Sequence, residues 1–165
     1  MSLGPTNFKI VRGMLKGDLL DFLGYYAYDR GNSPDAKPDE QVPNTPALYD
    51  DPAILTLLHY FLYDMKEHTG VDLEPTYSYL RVYKKGDVLY RHTDREACEY
   101  SVSITLKREN NDEIWPLCLE TDQIYKVLLD EGDGLIYKGI ENPHWRDKFE
   151  GQRLAQVFLH YVRSS

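Results

Sequence analysis

The stretch RVYKKGDVLYRHTD, residues 81–94, is the most informative part of this chain. Its β-branched and aromatic residues lie on either side of the turn Lys85-Gly86-Asp87, a pattern typical of two strands joined by a short connection. Side chains alternate along a strand, so Tyr90, His92 and Asp94 are expected to share one face. A histidine and an acid are unusual in an ordinary sheet core. The stretch therefore predicts that two metal-ligand-type side chains converge on one point.

The length and composition indicate one globular unit. The chain has 165 residues, of which 42% are hydrophobic and 28% charged. These values are typical of a single soluble domain that is large enough to bury a hydrophobic core. We expect one domain over residues 1–165, with a helical part at about 1–75 and a β-rich core at about 76–163. No apolar run is long enough to cross a bilayer, so we expect no membrane insertion.

Charge and cysteine content narrow the function classes. The net charge is −8, from 27 acidic and 19 basic residues, which removes the general attraction to phosphate backbones and argues against a nucleic-acid substrate. The cysteines are Cys98 and Cys118, too few for a disulfide framework, and the N-terminus has no secretory pattern. A reducing, cytoplasmic location is the expectation.

Helical patterns are confined to the first half of the chain. Apolar residues recur with helical spacing from Leu15 to Tyr26, and Gly31 lies just beyond. A second helix is predicted from the N-cap Asp51 and Pro52 to about Gly70. The proline-rich segment between the helices, residues 30–49, is predicted to be a long loop, either a functional lid or a surface excursion.

From residue 77 onward the pattern predicts strands. The eight predicted strands are residues 77–84, 87–94, 99–107, 115–120, 124–129, 133–138, 143–147 and 153–162. Turn residues separate them, among them Asn110-Asn111-Asp112. Short strands of this number are typical of a jelly roll, so we expect a mainly β fold with the N-terminal helices packed against one outer face.

The last strand carries a charged residue at its start. Alternation places Arg153 on the face of Val157 and Leu159, and His160 on the other face, which we expect to meet the helices. Both faces are mostly apolar, so the strand is predicted to be buried on each side. A guanidinium in a half-closed space needs a partner, and its planar fork matches a carboxylate. Arg153 is therefore a candidate for binding an acidic ligand.

His144 completes a candidate metal site. It opens a short strand after Asn142-Pro143, and with His92 and Asp94 it supplies two imidazoles and one carboxylate. This is the ligand set of the facial triad that holds non-haem Fe(II) and leaves the remaining coordination positions open for chemistry. Each residue alone also has an ordinary explanation: a hydrogen-bonded strand pair for the first two, and a satisfied buried histidine for the third.

In its β-rich part the sequence resembles the Fe(II)/2-oxoglutarate-dependent dioxygenases, and within them the prolyl-hydroxylase-like branch. The resemblance rests on RVYKKGDVLYRHTD and on GDGLIYKGIENPHW followed by Arg153, and spans roughly residues 77–162. It implies a double-stranded β-helix, that is, a jelly roll of about eight antiparallel strands. It also implies that His92, Asp94 and His144 bind iron and that Arg153 binds the distal carboxylate of 2-oxoglutarate.

The same resemblance implies the reaction. With Fe(II), 2-oxoglutarate and O2, and ascorbate as a reductant in vitro, such an enzyme hydroxylates a C–H bond and releases succinate and CO2. Tyr83 is a candidate contact for the cofactor by analogy with family members. Thr105 is another, because Ser101, Ser103 and Thr105 form a small, polar strand face that leaves room for a ligand.

The substrate and one alternative function remain open. IWPLCLETDQIYKVLL, residues 114–129, stands where prolyl hydroxylases have a G-G-x-T-x-F strand, so the resemblance does not identify proline as the target. We expect a small-molecule or peptide substrate. The alternative is a cupin-like or catalytically silent jelly-roll binding module, which would not need an arginine at the start of the last strand.

Overall fold

Two antiparallel sheets and three helices make up the structure, a computed structural model that describes residues 2–109 and 113–165. The helices are α1 (Gly17–Gly31), α2 (Pro52–Tyr60) and α3 (Leu62–Thr69). The strands are β1 (Phe8–Val11), β2 (Ala47–Tyr49), β3 (Leu73–Lys84), β4 (Leu89–His92), β5 (Tyr100–Glu109), β6 (Leu117–Glu120), β7 (Ile124–Val127), β8 (Gly134–Tyr137), β9 (His144–Arg146) and β10 (Arg153–Arg163). The predicted turn Asn110-Asn111-Asp112 lies outside the described residues.

The predicted jelly roll is confirmed. The larger sheet has the strand order β1-β8-β5-β10-β3-β2 and the smaller one β4-β9-β6-β7. All eight predicted strands are present as β3 to β10. The first part of the chain is less purely helical than expected, because it also contributes β1 and β2 to the edges of the larger sheet. These two strands have only four and three residues, too few for a clear alternation to be visible in the sequence.

The predicted second helix is divided into two. Asp51 caps α2 as expected, since its Oδ1 accepts hydrogen bonds from the backbone N–H groups of Ala53 and Ile54 at 3.1 and 3.4 Å. The helix is interrupted at Phe61, whose side chain is buried. α3 then ends at Gly70, which adopts the left-handed conformation (φ 71°) that glycine permits without steric cost. The apolar stripe therefore continues across the break.

The larger sheet separates two hydrophobic cores. Its outer face packs against the three helices, and this outer core is formed by residues that include Leu23, Ala27, Ile54, Leu58, Met65, Val102, Ile104, Ala155, Val157 and Leu159. Its inner face packs against the smaller sheet, and this inner core includes Tyr83, Leu89, Trp115, Leu117, Leu119, Leu135, Phe149 and Leu154. Apolar residues on both faces of β10 explain why this strand is buried throughout its middle.

Two sequence expectations can be compared with the structure at this level. Cys98 and Cys118 are both buried and free, as expected for a chain without a disulfide framework. Within the described ranges, no helix has the length and apolar character needed to span a membrane.

Candidate metal centre and active-site cavity

The structure brings the three predicted metal ligands together. β4 ends at His92 and pairs with β9, so that His92 and His144 lie directly opposite each other. Asp94 follows β4 by two residues, and its Oδ1 lies 3.3 Å from Nε2 of His92 and 3.3 Å from Nε2 of His144. The ligand atoms of all three lie within 4.8 Å of one another. His92 and His144, 52 positions apart in the chain, thus meet because the register of β4 and β9 places them side by side.

Both imidazoles are held in the orientation that a metal requires. Nδ1 of His92 lies 2.6 Å from the carbonyl oxygen of Tyr90, and Nδ1 of His144 lies 2.8 Å from that of Asn142. A carbonyl oxygen only accepts hydrogen bonds, so each Nδ1 must carry the proton. In a neutral imidazole this leaves the lone pair on Nε2, which faces the carboxylate. Such backbone hydrogen bonds typically orient histidines that bind metals.

The carboxylate of Asp94 is almost enclosed and partly unsatisfied. Its side chain is only 10% exposed, and its Oδ2 has no hydrogen-bond partner among the described residues. Burial opposes ionisation, but the neighbouring imidazoles of His144 and His92 outweigh it and hold the pKa of Asp94 well below its usual value. A buried, ionised carboxylate whose Oδ1 faces two imidazole lone pairs and whose Oδ2 is unused is what a divalent cation would satisfy.

A glycine makes room for this carboxylate. The backbone N–H of Asp94 donates to the carbonyl oxygen of Gly139 at 2.9 Å. A Cβ atom at position 139 would overlap Oδ2 of Asp94 and lie 3.0 Å from the carbonyl oxygen of Cys98. Glycine is therefore required at position 139, because the backbone there approaches Asp94 closely. This contact links the loop between β8 and β9 to the candidate metal ligands.

A second group of potential ligands adjoins the first. Asp94, Cys98 and His160 also have ligand atoms within 4.8 Å of one another. Burial raises the pKa of the Cys98 thiol to about 11, and its sulfur lies 3.1 Å from the hydroxyl of Tyr77. Metals bind the thiolate, so a thiol that resists deprotonation is a poor ligand. The His92, Asp94 and His144 group is the better candidate.

The candidate ligands lie in a cavity of about 340 Å³. Aromatic side chains and residues of the loop between α1 and β2 both contribute to its wall. The lining residues besides His92, Asp94 and His144 are Asp39, Glu40, Gln41, Tyr49, Tyr77, Tyr79, Arg81, Leu89, Arg95, Leu117, Tyr137, Phe158 and His160. The predicted loop at residues 30–49 therefore forms part of the wall of the candidate site.

A buried arginine faces this cavity from β3. The side chain of Arg81 is 2% exposed and forms an ion pair with Asp39 of the loop. Its Nη1 donates to the hydroxyl of Tyr83 at 3.4 Å, and its Nε has no partner among the described residues. Tyr79 adds a hydrogen bond from its hydroxyl to Oδ2 of Asp39 at 2.6 Å. Burial opposes ionisation of Asp39, but the charge of Arg81 and these hydrogen bonds lower its pKa.

A second buried arginine lies behind the wall of the cavity. Arg146 is 2% exposed and donates from Nη1 to the carbonyl oxygen of Trp115 at 2.8 Å. Its guanidinium lies 4.7 Å from the Trp115 ring centroid and 5.8 Å from that of Tyr83. Burial lowers the pKa of Arg146. Tyr83 thus lies near two guanidinium groups, that of Arg81 at 5.5 Å and that of Arg146 at 5.8 Å from its ring centroid.

The structure does not bring Arg153 to the cavity. Its Nε donates to Oε2 of Glu109 at 2.6 Å, its guanidinium lies 4.0 Å from the ring centroid of Tyr28 on α1, and its side chain is 43% exposed. It lies on the outer face of the sheet, with Val157 and Leu159. The expectation that Arg153 points into the ligand pocket is therefore not met by the geometry.

The faces of β10 are the reverse of the expected ones. His160 was expected to face the helices, but it lines the cavity and lies with Nδ1 2.7 Å from Oγ of Ser101. Burial lowers the pKa of His160 to about 4. Phe158, two residues earlier, lines the same cavity. Alternation along a strand separates two faces, but it does not identify the inner one when both are apolar.

The remaining two predicted cofactor contacts lie next to the cavity. Tyr83 is fully buried and meets the Trp115 ring edge-on at 5.0 Å. Thr105 is buried and donates to Oε1 of Gln156 at 2.8 Å, while Nε2 of Gln156 donates to Oγ of Ser103 at 2.8 Å. Neither Tyr83 nor Thr105 is among the residues that line the cavity in the described part of the chain.

Sequence reasoning did not identify Arg81 and Asp39. A signal for Arg81 was present, because the two-residue period of a strand places Tyr79 and Arg81 on the same face as the candidate residue Tyr83. The same period applies on β9, where Arg146 follows the candidate ligand His144 by two residues. Asp39 had no such signal, since it lies in a loop without periodicity. Its role depends on where the loop folds back.

Comparisons with known proteins agree with this geometry at the level of the fold. No family model and no curated protein matches the sequence. Among solved structures, a Pseudomonas putida prolyl-4-hydroxylase is similar with a TM-score of 0.78 and 16% identity, over 99% of this chain and 96% of that one. A Trichoplax adhaerens prolyl hydroxylase in complex with a hypoxia inducible factor peptide has a TM-score of 0.76 and 14% identity, over 96% of this chain and 85% of that one.

A third solved structure carries ligands. HygX from Streptomyces hygroscopicus, with nickel, 2-oxoglutarate and hygromycin B bound, has a TM-score of 0.73 and 15% identity, over 98% of this chain and 85% of that one. Identities this low establish architecture and not activity. The structure of this chain thus has the fold of the prolyl hydroxylases and other 2OG-Fe(II) oxygenases, as the sequence motifs led us to expect.

Proposed function

We propose that this protein is an Fe(II)- and 2-oxoglutarate-dependent oxygenase that hydroxylates a C–H bond of a small-molecule or peptide substrate. One observation carries the proposal. His92 and His144 each donate Nδ1–H to a backbone carbonyl and direct Nε2 at the same carboxylate oxygen of Asp94, inside a cavity. Two imidazoles and one carboxylate on one side of a metal are the ligand set of non-haem Fe(II) oxygenases.

The protein would hold the metal and keep its open positions accessible. His92, Asp94 and His144 would supply three ligands, and the remaining coordination positions would be available to a cosubstrate and O2. When bound, iron and 2-oxoglutarate supply an oxidation in which one oxygen atom of O2 enters the C–H bond and the other enters succinate, with loss of CO2. Tyr137, whose ring meets that of His144 edge-on at 5.0 Å, would help to keep this imidazole in place.

The buried guanidinium groups would recognise the carboxylates of the cosubstrate. Arg81 lines the cavity that also contains the metal ligands, and a guanidinium binds a carboxylate through two parallel hydrogen bonds. Arg146, close behind, adds positive charge in the low-dielectric interior, where a dianion benefits most. Arg153, which the sequence favoured for this role, is paired with Glu109 on the outer face. Arg81 is therefore our candidate for the cosubstrate carboxylate.

The mouth of the cavity suits a substrate with flat or apolar groups. The rings of Tyr49 and Tyr77 stack with centroids 4.9 Å apart, and the guanidinium of Arg95 lies 4.4 Å from the Tyr77 ring centroid. Tyr49 is 58% exposed, so this aromatic surface extends to the outside. Such a surface would position a substrate over the metal by contact with ring faces.

Metal binding and cosubstrate turnover together test the proposal. We expect the purified protein to bind stoichiometric Fe(II) under argon by calorimetry, and to convert 2-oxoglutarate to succinate slowly in air with ascorbate. Asp94→Ala should lose both properties. Asp122→Ala, which removes an exposed carboxylate on the turn between β6 and β7, is the matched control and should keep both. Fe(II) binding without any succinate formation, even with candidate substrates added, would instead support the silent binding module.

A further inference from the structure

We propose that Asp39 is an internal competitor for the cosubstrate carboxylate: it binds Arg81 and Tyr79 and must leave before a diacid can bind. The inference rests on the proposed function. It adds a device that the reaction itself does not require, namely a loop carboxylate that closes the anion site until a ligand displaces it.

The contacts of Asp39 are those that a ligand carboxylate would make. Its Oδ2 accepts a hydrogen bond from the hydroxyl of Tyr79 at 2.6 Å and pairs with Nη2 of Arg81. Both donors come from the inner face of β3 and both line the cavity. A hydroxyl and a guanidinium directed at one oxygen recognise any carboxylate. Asp39 therefore fills this site from within the chain.

Burial and charge indicate which partner moves. The side chain of Arg81 is 2% exposed, whereas that of Asp39 is 26% exposed. A guanidinium enclosed to this degree cannot exchange its partner for water without a large desolvation cost. Asp39 can, because it lies at the edge of the cavity next to solvent. A ligand that binds here would thus displace the carboxylate of Asp39, while Arg81 remains in place.

The loop is anchored on both sides of Asp39. Lys37 and Ala47 exchange backbone hydrogen bonds of 2.9 and 2.8 Å, and Val42 is buried in the inner core. Between these anchors, Glu40 and Gln41 line the cavity next to Asp39. A short segment held at both ends can swing a carboxylate aside without unfolding the remainder of the loop.

The two oxygens of Asp39 have separate tasks, which makes a sharp variant available. Oδ1 accepts hydrogen bonds from the backbone N–H groups of Gln41 and Val42 at 3.0 Å each and so shapes the local turn. Oδ2 makes the contacts to Tyr79 and Arg81. Asn at this position keeps an oxygen acceptor for the turn and removes the charge that binds Arg81.

The test compares Asp39→Asn with Asp35→Asn. Asp35 lies in the same loop, is 74% exposed and contacts Arg30 at 3.7 Å. Asp35→Asn therefore makes the same chemical change at a position that does not line the cavity. Calorimetry under argon on Fe(II)-loaded protein measures 2-oxoglutarate binding. We expect Asp39→Asn to bind roughly tenfold or more tightly than wild type, since loss of a charge-assisted hydrogen bond removes the competition. Asp35→Asn should equal wild type.

A second measurement needs neither metal nor cosubstrate. Amide hydrogen exchange in residues 37–47 should be faster in Asp39→Asn than in wild type and in Asp35→Asn, because the link to β3 is lost. Equal or weaker 2-oxoglutarate binding by Asp39→Asn would overturn this inference alone and would show that Asp39 orients Arg81 for the ligand. Absence of diacid binding in every variant would overturn the proposed function, and this inference with it. Unchanged loop exchange would show that Asp39 does not hold the loop.

Discussion

Arg81 and Arg153 lie on adjacent strands of the same sheet, yet their surroundings are opposite. Arg81 on β3 points into the inner core, has a side chain 2% exposed and pairs with a loop carboxylate. Arg153 on β10 points to the outer face and is 43% exposed, beside a partly exposed Glu109. A buried charge is costly to maintain, while an exposed ion pair contributes little. The difference teaches that the inner face is the one whose charges require a functional explanation.

The two faces of the sheet are built for different tasks. The outer face is sealed by α1, α2 and α3 with aliphatic side chains, and it supplies stability through burial of apolar surface. The inner face combines apolar residues with buried polar groups, among them Arg81, Gln156 and His160. Buried polar groups persist only where hydrogen bonds or a ligand satisfy them. The cavity is therefore the region where buried polar groups are kept at a cost in stability, as expected for a functional site.

The largest effect on 2-oxoglutarate binding is expected from Arg81→Gln. Removal of the inner guanidinium should weaken 2-oxoglutarate binding to the Fe(II)-loaded protein by roughly 10- to 100-fold, because hydrogen bonds to charged groups contribute about 1.5–3 kcal/mol. Fe(II) affinity should change much less, since Arg81 is not a metal ligand. Calorimetry with each ligand in turn checks both expectations, and a thermal melt verifies that the variant is folded. Unchanged cosubstrate affinity would remove Arg81 from its assigned role.

An effect of similar size, on Fe(II) binding rather than on 2-oxoglutarate binding, is expected from Gly139→Ala. The added methyl group would overlap Oδ2 of Asp94 and displace the carboxylate that both imidazoles face. Disturbance of a group that orients metal ligands typically lowers affinity by about 10- to 100-fold, and we expect Fe(II) binding to fall in this range. Gly139→Ala with wild-type Fe(II) affinity and an unchanged far-ultraviolet circular dichroism spectrum would contradict the tight packing around Asp94.

The smallest effect is expected from Arg153→Gln, the matched control for Arg81→Gln. Because the Arg153–Glu109 pair is substantially exposed, its loss should lower the free energy of unfolding by no more than about 1 kcal/mol in urea titrations. 2-Oxoglutarate affinity should be the same as in wild type. A large loss of cosubstrate affinity here, with none in Arg81→Gln, would restore the assignment that the sequence motif favoured.

Much of the fold followed from local patterns. Strand-like runs between turn residues predicted β3 to β10, and Asp51 with Pro52 predicted the start of α2. The break at Phe61 and the edge strands β1 and β2 were not predictable in the same way. Short edge strands depend on a neighbouring strand for their hydrogen bonds. The interruption of a helix that keeps its apolar stripe leaves no mark in the residue pattern.

The sequence by itself determined the candidate metal ligands, because the i and i+2 spacing of His92 and Asp94 is a property of any strand and His144 follows at a point where a neighbouring strand begins. Only the tertiary structure decided which arginine meets them. Both faces of β10 are mostly apolar, so alternation alone could not identify the inner one. Asp39 contacts Arg81 because of the path of its loop, which no local sequence pattern predicts. Packing of the helices on one face of the larger sheet made its other face the interior, and that choice placed Arg81 and His160 inside and Arg153 outside.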